Sequence, residues 1–368
     1  MKEISLQTLT PLWTGDIDED SKEIKETGII GSLRWWYEVL VRGLGGSACD
    51  PTDKDSRCSF DYKEYQKTKN VNDGLREVCD ACRFFGCTGW SRRFRLKISP
   101  MEDTTHSLFF VTSLYEKGSS NLAWWLKRIF EKSKTTIFGK IGIKLVGSAQ
   151  AIETLEGLLF FLSKYAGIGA KNQYGFGQFK FLDETVKEEC RKNWSELVRG
   201  NWISQKHLRK NGRFQSIRDF FYLKYKIDEN NGLISYLKND CKKVRGSPSD
   251  FDWIYIPCAL DFRYKFKDRR NEYSGIRYYF RSQGFEKDKE IFGYANPKER
   301  NSSKVYVSHL YKEDKNEEGY FLKIWGVLPR NLCNFDAFVS SVKNAVPKEF
   351  KLIDEKNGER ILGDKDDL

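Results

Sequence analysis

A chain of 368 residues carries enough material for two domains with separate cores. Its 63 Lys+Arg exceed its 52 Asp+Glu, for a net charge of +11 and a pI near 9.0, a balance that favours a polyanionic partner. The polar opening Met1-Lys2-Glu3 leads to no long apolar run, so neither a signal peptide nor a membrane span is expected, and the nine cysteines read as those of a reduced, cytoplasmic protein.

Residues 4–13 read as a first strand that ends in Thr10-Pro11-Leu12-Trp13-Thr14-Gly15, followed by an acidic loop over 16–26. Asp16, Asp18 and Asp20 lack the glycine and terminal glutamate of a calcium loop and read as solvated. Gly28 and Gly31 open a helix that runs to about Gly45. Leu33, Trp36, Leu40, Val41 and Leu44 form its apolar stripe, with Arg34, Trp35, Glu38 and Arg42 towards another face. A polar insertion follows over 46–78, and five of the nine cysteines fall between Cys49 and Cys87. Cys79-Asp80-Ala81-Cys82 is a pair whose thiolates fit one tetrahedral ion. Cys58 and Cys87 complete a structural zinc site, with Cys49 as a substitute. The insertion has little apolar material of its own, which gives a metal anchor its motive; unligated thiols are the competing reading. Strands are expected over 93–99, 108–114 and 137–146, with a helix over 122–130.

The densest local signal lies further on. Ile152, Leu155, Leu158, Leu159 and Leu162 recur at helical spacing within 151–165, and Phe179-Lys180-Phe181 alternates as a strand. Between them Gly167-Ile168-Gly169-Ala170-Lys171-Asn172-Gln173-Tyr174-Gly175-Phe176-Gly177-Gln178 sets four glycines around a polar, basic tip. Glycine admits positive φ and lets main-chain N–H groups approach a ligand, so the loop reads as a device for holding nucleic acid, with a plain tight turn as the alternative. Nucleotide-cofactor loops run from strand to helix, the reverse order, and the Gly-Lys-Ser/Thr ending is missing. The stretch from Tyr174 to Phe181 also partly matches the aromatic RNA-binding signature of RRM domains, although here it follows a helix.

A charged helix over 184–200 leads to the second half. Residues 201–281 hold 18 Lys+Arg against 9 Asp+Glu, interleaved with Phe214, Phe220, Phe221, Tyr222, Tyr225 and Tyr264. That pattern fits stacked bases with neutralised phosphates, and it also fits an aromatic core with basic solvent faces. A strand is expected over 253–266, a helix over about 273–281, strands over 305–310 and 321–328, and a closing helix over 335–346. Leu33-Arg34-Trp35-Trp36-Tyr37 aligns with Ile276-Arg277-Tyr278-Tyr279-Phe280, and each is followed by a Phe-Gly, Phe85-Gly86 and Phe292-Gly293, which suggests an internal repeat. The second half has no glycine loop; Arg360-Ile361-Leu362-Gly363 is too short to serve. The order of elements predicts an α+β protein of two ferredoxin-like, RRM-related βαββαβ domains with insertions, over residues 1–185 and 186–368.

Thr10-Pro11-Leu12-Trp13-Thr14-Gly15, Gly31-Ser32-Leu33-Arg34-Trp35-Trp36-Tyr37, Arg83-Phe84-Phe85-Gly86 and the glycine loop together resemble the RAMP superfamily of CRISPR proteins, and within it the first subunits of type III-B Cmr effector complexes. The resemblance implies an RNA-binding subunit of an RNA-guided antiviral defence complex, with CRISPR guide RNA, target RNA and other Cmr subunits as partners. It places the subunit near the 3′ end of the guide and assigns target cleavage to another subunit. Arg34 and Trp35 match the family's helix motif, and Lys171, Asn172 and Gln173 match the tip of its glycine loop. With Arg42, Gly169 and Tyr174, and with Arg277 and Tyr278 from the repeat, these are the expected RNA contacts. The cysteine-rich insertion is the departure from the family pattern. The alternative is a RAMP-type endoribonuclease, which needs a histidine beside basic residues. Of His106, His207 and His309, only His207 has that setting, in Lys206-His207-Leu208-Arg209-Lys210, where a plain surface histidine is the simpler account. A third reading is an assembly protein whose basic surface meets acidic partners.

Overall fold

A computed structural model describes residues 1–15, 23–50, 53–101, 105–106, 110–111, 136–203, 215–239, 243–245, 255–256, 258–267, 272–295, 300–329 and 331–363. Asp16, Asp18, Asp20, His207, Phe214, the expected helix over 122–130 and most of the strand over 108–114 lie outside them.

The first sheet begins with β1 (Lys2–Thr8), in which Ile4, Leu6 and Thr8 point inward and their neighbours do not. Then come α1 (Glu26–Gly43), α2 (Asp80–Phe85), β2 (Phe94–Pro100), β3 (Lys140–Gly147), α3 (Ala149–Tyr165) and β4 (Phe179–Phe181). Phe94, Leu96 and Ile98 of β2 and Ile141, Ile143 and Leu145 of β3 repeat the inward alternation, the period-2 pattern of a sheet with one covered face. The strands lie in the order β2-β3-β1-β4, each pair antiparallel, with α1 and α3 contributing to the core on that face. Ser148 starts α3 by accepting the Ala151 N–H at 3.3 Å. Gly139, at φ +129°, separates the short strand Ile137–Phe138 from β3, so the expected single strand over 137–146 is two. The next helix, α4 (Glu184–Val198), lies along α3. Gly157 permits the approach, since a Cβ there would meet the backbone of Asn193 and Trp194 at 3.0 Å. Phe161 stacks on Trp194 at 5.0 Å, and Cys190, Trp194, Leu197 and Val198 join the first core.

The second sheet repeats this order. After β5 (Phe220–Ile227) come α5 (Ile276–Ser282), α6 (Asp288–Phe292), β6 (Val305–Val307), β7 (Leu310–Tyr311), β8 (Tyr320–Val327), α7 (Phe335–Ala345) and β9 (Lys351–Asn357). β6 and β7 both pair with β8, β8 with β5, and β5 with β9, all antiparallel; the strand Tyr255–Ile256 adds to β7. The whole of β8 is buried, Lys323 included, whose Nζ donates to Ser163 O at 2.9 Å.

Two expectations change here. Residues 253–266 do not form one strand, because Ala259–Arg263 is helical. The N–H groups of Cys258 and Ala259 donate to His309 Nδ1 at 3.1 and 3.2 Å and so satisfy the start of that turn. Phe220, Phe221, Tyr222 and Tyr225 are buried core residues of β5, while the adjacent Lys224 and Lys226 pair with Glu313 and Glu317. This stretch is aromatic core with basic faces, and base stacking on those four rings is ruled out by their burial. The two cores abut: Trp36 meets Phe161 at 5.2 Å and Phe220 at 5.8 Å, so the second sheet closes over the helices of the first.

Candidate nucleic-acid interface and metal site

The glycine loop is held on both sides by protein. Gly169, Gly175 and Gly177 stand at φ +83°, +94° and +86°, where a side chain is strained. Space is short as well: a Cβ on Gly177 would meet Ile168 O at 2.1 Å, and one on Gly175 would meet Ala259 Cβ at 2.5 Å. Ala170 N–H donates to Trp13 O at 2.7 Å, Gly177 N–H to Pro11 O at 2.9 Å and Ile168 N–H to Gly177 O at 2.9 Å. These glycines therefore serve close packing against the 10–13 segment, and several of the N–H groups expected for a ligand are used within the fold. The Asn172 amide, buried, donates to Ile168 O and Gly169 O at 3.3 and 3.2 Å and shapes the tip. Lys171 takes φ +57° and sets its Nζ 3.4 Å above the Trp13 ring. Across the loop, Arg263 donates to Gln173 O at 2.8 Å and to Phe292 O at 2.6 Å.

A cleft of about 210 Å³ opens where α1, this loop and the second sheet meet. From the residues expected to contact RNA it gathers Trp35, Gly169, Lys171, Asn172 and Gln173. Tyr306 of β6 and Trp325 of β8 complete it. Sequence reading missed these two, and no local signal links them to Trp35, which is hundreds of residues away.

Arg34, Arg42, Tyr174, Arg277 and Tyr278 lie elsewhere. Arg34 donates to Glu38 at 2.9 Å, to Gly86 O at 3.0 Å and to Cys82 Sγ at 3.2 Å. Arg42 bonds Gln215 O at 3.2 Å and faces Glu38 from the next turn. Burial pushes the Glu38 carboxyl up, against the pull of these two arginines. Tyr174 is half-buried, and burial likewise raises its phenol. Arg277 is buried against Asp288 at 3.0 Å, while Tyr278 beside it is exposed. His309 is fully buried, takes two backbone N–H bonds, and is held neutral by burial with a pKa of about 3.

The second site lies beneath α1. Cys49, Cys58, Cys79 and Cys82 are all buried, with their sulfurs within 4.8 Å of one another, close enough to hold a metal ion. Cys49 and Cys82 Sγ approach to 3.5 Å. A tetrahedron with Zn–S bonds of about 2.3 Å has edges of about 3.8 Å, so the thiols fit that chemistry. Backbone N–H groups already point at the sulfurs: Cys49 to Cys79 at 3.4 Å, Cys79 to Cys58 at 3.3 Å, Cys82 to Cys79 at 3.4 Å. Ser47 N–H and Oγ bind the Asp80 carboxylate at 2.8 and 3.0 Å, tying the start of the insertion to α2. The fourth member of the group is thus Cys49 and not Cys87. The turn after Gly86 folds Cys87 back on Trp90, with N–H···O bonds of 2.9 and 3.0 Å in both directions, and this keeps it outside the group.

Two antiparallel sheets with one strand order, a glycine loop wedged between them and a cleft at its tip define a mixed α/β protein. The family model of the RAMP superfamily matches residues 5–180, just under half of the chain, a span that takes in most of the first sheet, the four thiols and the glycine loop. No curated protein sequence matches the chain. Among solved structures, the chain is similar to Cmr1 from Pyrococcus furiosus in its apo form, with 13% identity, 95% of this chain and 97% of the other covered, and a TM-score of 0.45. It is also similar to a chain of the type III-B Cmr-beta complex bound to cognate target RNA and AMPPnP in the presence of ssDNA, with 12% identity, coverage of 93% and 98%, and a TM-score of 0.42. A further match is a chain of Cmr-beta bound to cognate target RNA, with 12% identity, coverage of 94% and 99%, and a TM-score of 0.38. Among the described residues no helix is long and apolar enough to cross a membrane.

Proposed function

We propose that the chain is a non-catalytic, RNA-binding subunit of a cytoplasmic type III-B CRISPR effector complex, engaging guide or target RNA near the 3′ end of the guide beside other Cmr subunits. The observation that carries this is the meeting of Trp35, Lys171 and Gln173 at one cleft, an aromatic face beside a cation, which is what a single-stranded nucleic acid needs for stacking and phosphate neutralisation. The match of residues 5–180 to the RAMP superfamily model and the motifs of α1 and the glycine loop support it. On this reading the chain is two ferredoxin-like modules. The packing of Trp194 on Phe161 favours assigning α4 to the first module, so that the boundary falls after residue 198 instead of 185. A structural zinc ion on Cys49, Cys58, Cys79 and Cys82 anchors the insertion, and when bound it supplies cross-linking of the fold, not chemistry. The test is titration of the full-length chain with labelled single-stranded RNA at several salt concentrations, with gel analysis of the RNA afterwards. Affinity that falls with salt and intact RNA are expected. Absence of binding removes the reading, and magnesium-independent or magnesium-dependent cleavage replaces it with the endoribonuclease alternative.

A further inference from the structure

We propose that the cleft between α1 and the second sheet is a pocket for a single unstacked nucleobase. The inference rests on the RNA-binding reading above and names the groups that take the base. On the second-sheet side, Tyr306 and Trp325 stack at 5.6 Å with their planes 17° apart. On the α1 side, Trp35 is half-buried and set edge-on to Trp36 at 4.7 Å. Its volume of about 210 Å³ is below the roughly 300–1,000 Å³ of pockets for drug-sized ligands, so it admits one ring system and not two stacked nucleotides.

The polar groups narrow the occupant. Trp325 is fully buried, yet among the described residues its indole Nε1 has no hydrogen-bond partner. An indole N–H only donates, so the group that could satisfy it is an acceptor, such as the ring nitrogen or carbonyl oxygen of a base. Gln173 lines the same cleft with an amide that both donates and accepts. Lys171 is held over Trp13 and places a cation at the loop tip, where the phosphate of a nucleotide turned inward needs one. An aliphatic peptide side chain would leave the buried indole N–H unsatisfied and make no use of the cation.

The experiment uses full-length protein and single-stranded RNA with 5-iodouridine placed at one position at a time, irradiated in the complex, with crosslinks mapped by peptide mass. Crosslinking to Trp35 or Tyr306 from a single register is expected. Trp35→Ala should lower affinity about ten-fold and Trp35→Phe should retain most of it, as loss and retention of one stacked base require. RNA that binds with salt-dependent affinity but crosslinks only outside the cleft overturns the pocket and leaves RNA binding standing. Failure to bind RNA at all overturns both. The crosslink in the unmodified protein decides even if the Trp35 variants fold poorly.

Discussion

After α2 the backbone at Gly86 stands at φ +89°, ψ 159°; after α6, at Gly293, it stands at φ +78°, ψ 162°. Each turn is reached by an arginine: Arg34 donates to Gly86 O at 3.0 Å, and Arg263 to Phe292 O at 2.6 Å. The helix before each turn is then fixed by different chemistry. In the first sheet's half, Arg34 also donates to Cys82 Sγ within the group of four thiols. In the second, Arg277, its counterpart in the repeat, closes with Arg281 on Asp288 at 3.0 and 2.9 Å. A zinc ion with four thiolates carries a net charge of about −2, so Arg34 on an occupied site would meet negative charge just as Arg277 meets a carboxylate. On that reading half-buried Arg34 and buried Arg277 would each lie against an anion, the first supplied by cysteines of the insertion and the second by a single aspartate.

The comparison breaks most severely at the thiols. Cys82→Ser should abolish metal binding and cost more than about 4 kcal/mol, read by elemental analysis and denaturant unfolding, whereas Cys87→Ser should keep one zinc per chain. Protein purified without added metal that holds no zinc, yet loses no stability on Cys82→Ser, would break the parallel. Asp288→Ala is the matching lesion in the second half. It leaves Arg277 buried without its carboxylate and should cost about 3–5 kcal/mol by denaturant unfolding.

The same pair sets a pH dependence. Burial pushes the Asp288 carboxyl up, but the bonds from Arg277 and Arg281 outweigh it and hold the carboxyl below its ordinary 3.8. A carboxyl lowered in the folded state contributes stability that is whole above its unfolded pKa and is lost as pH falls through the folded value. Unfolding followed from pH 5 downward should therefore show a loss in the wild type that is smaller in Asp288→Asn.

Smaller effects distinguish the loop from its absence in the second half. Gly177→Ala combines φ +86° with a 2.1 Å approach to Ile168 O and should cost at least about 1–3 kcal/mol in thermal unfolding. Gly363→Ala, in the short helix Gly358–Gly363, meets nothing within 4 Å and should be neutral. The smallest change is in binding. Lys171→Ala should lower the slope of log affinity against log salt by about one with little change in stability, while Arg34→Ala should act on metal retention and leave that slope unchanged.

Much of this architecture was legible along the chain. The alternation at Phe94, Leu96 and Ile98, the helical spacing from Leu155 to Leu162 and the four glycines before Phe179 all depend on neighbours within a few positions, where backbone preference and side-chain period act. The helical reading of Leu33–Tyr37 and Ile276–Phe280 likewise holds in α1 and α5, whereas the short helices α2 and α6 that end at the Phe-Gly pairs have no such sequence signal. Tertiary structure decided the rest. Spacing favours Cys87 as the fourth ligand with Cys49 as its substitute, and only the turn that folds Cys87 onto Trp90 while the insertion carries Cys49 beneath α1 reverses that choice. Phe220 and Tyr222 read as stacking surfaces or as core with equal ease, because burial depends on which helices a strand is closed against. Trp35 and Trp325 share a cleft because two sheets with the same strand order pack across the glycine loop. No local preference encodes that arrangement, since the burial of apolar faces that drives it is summed over segments far apart in the chain.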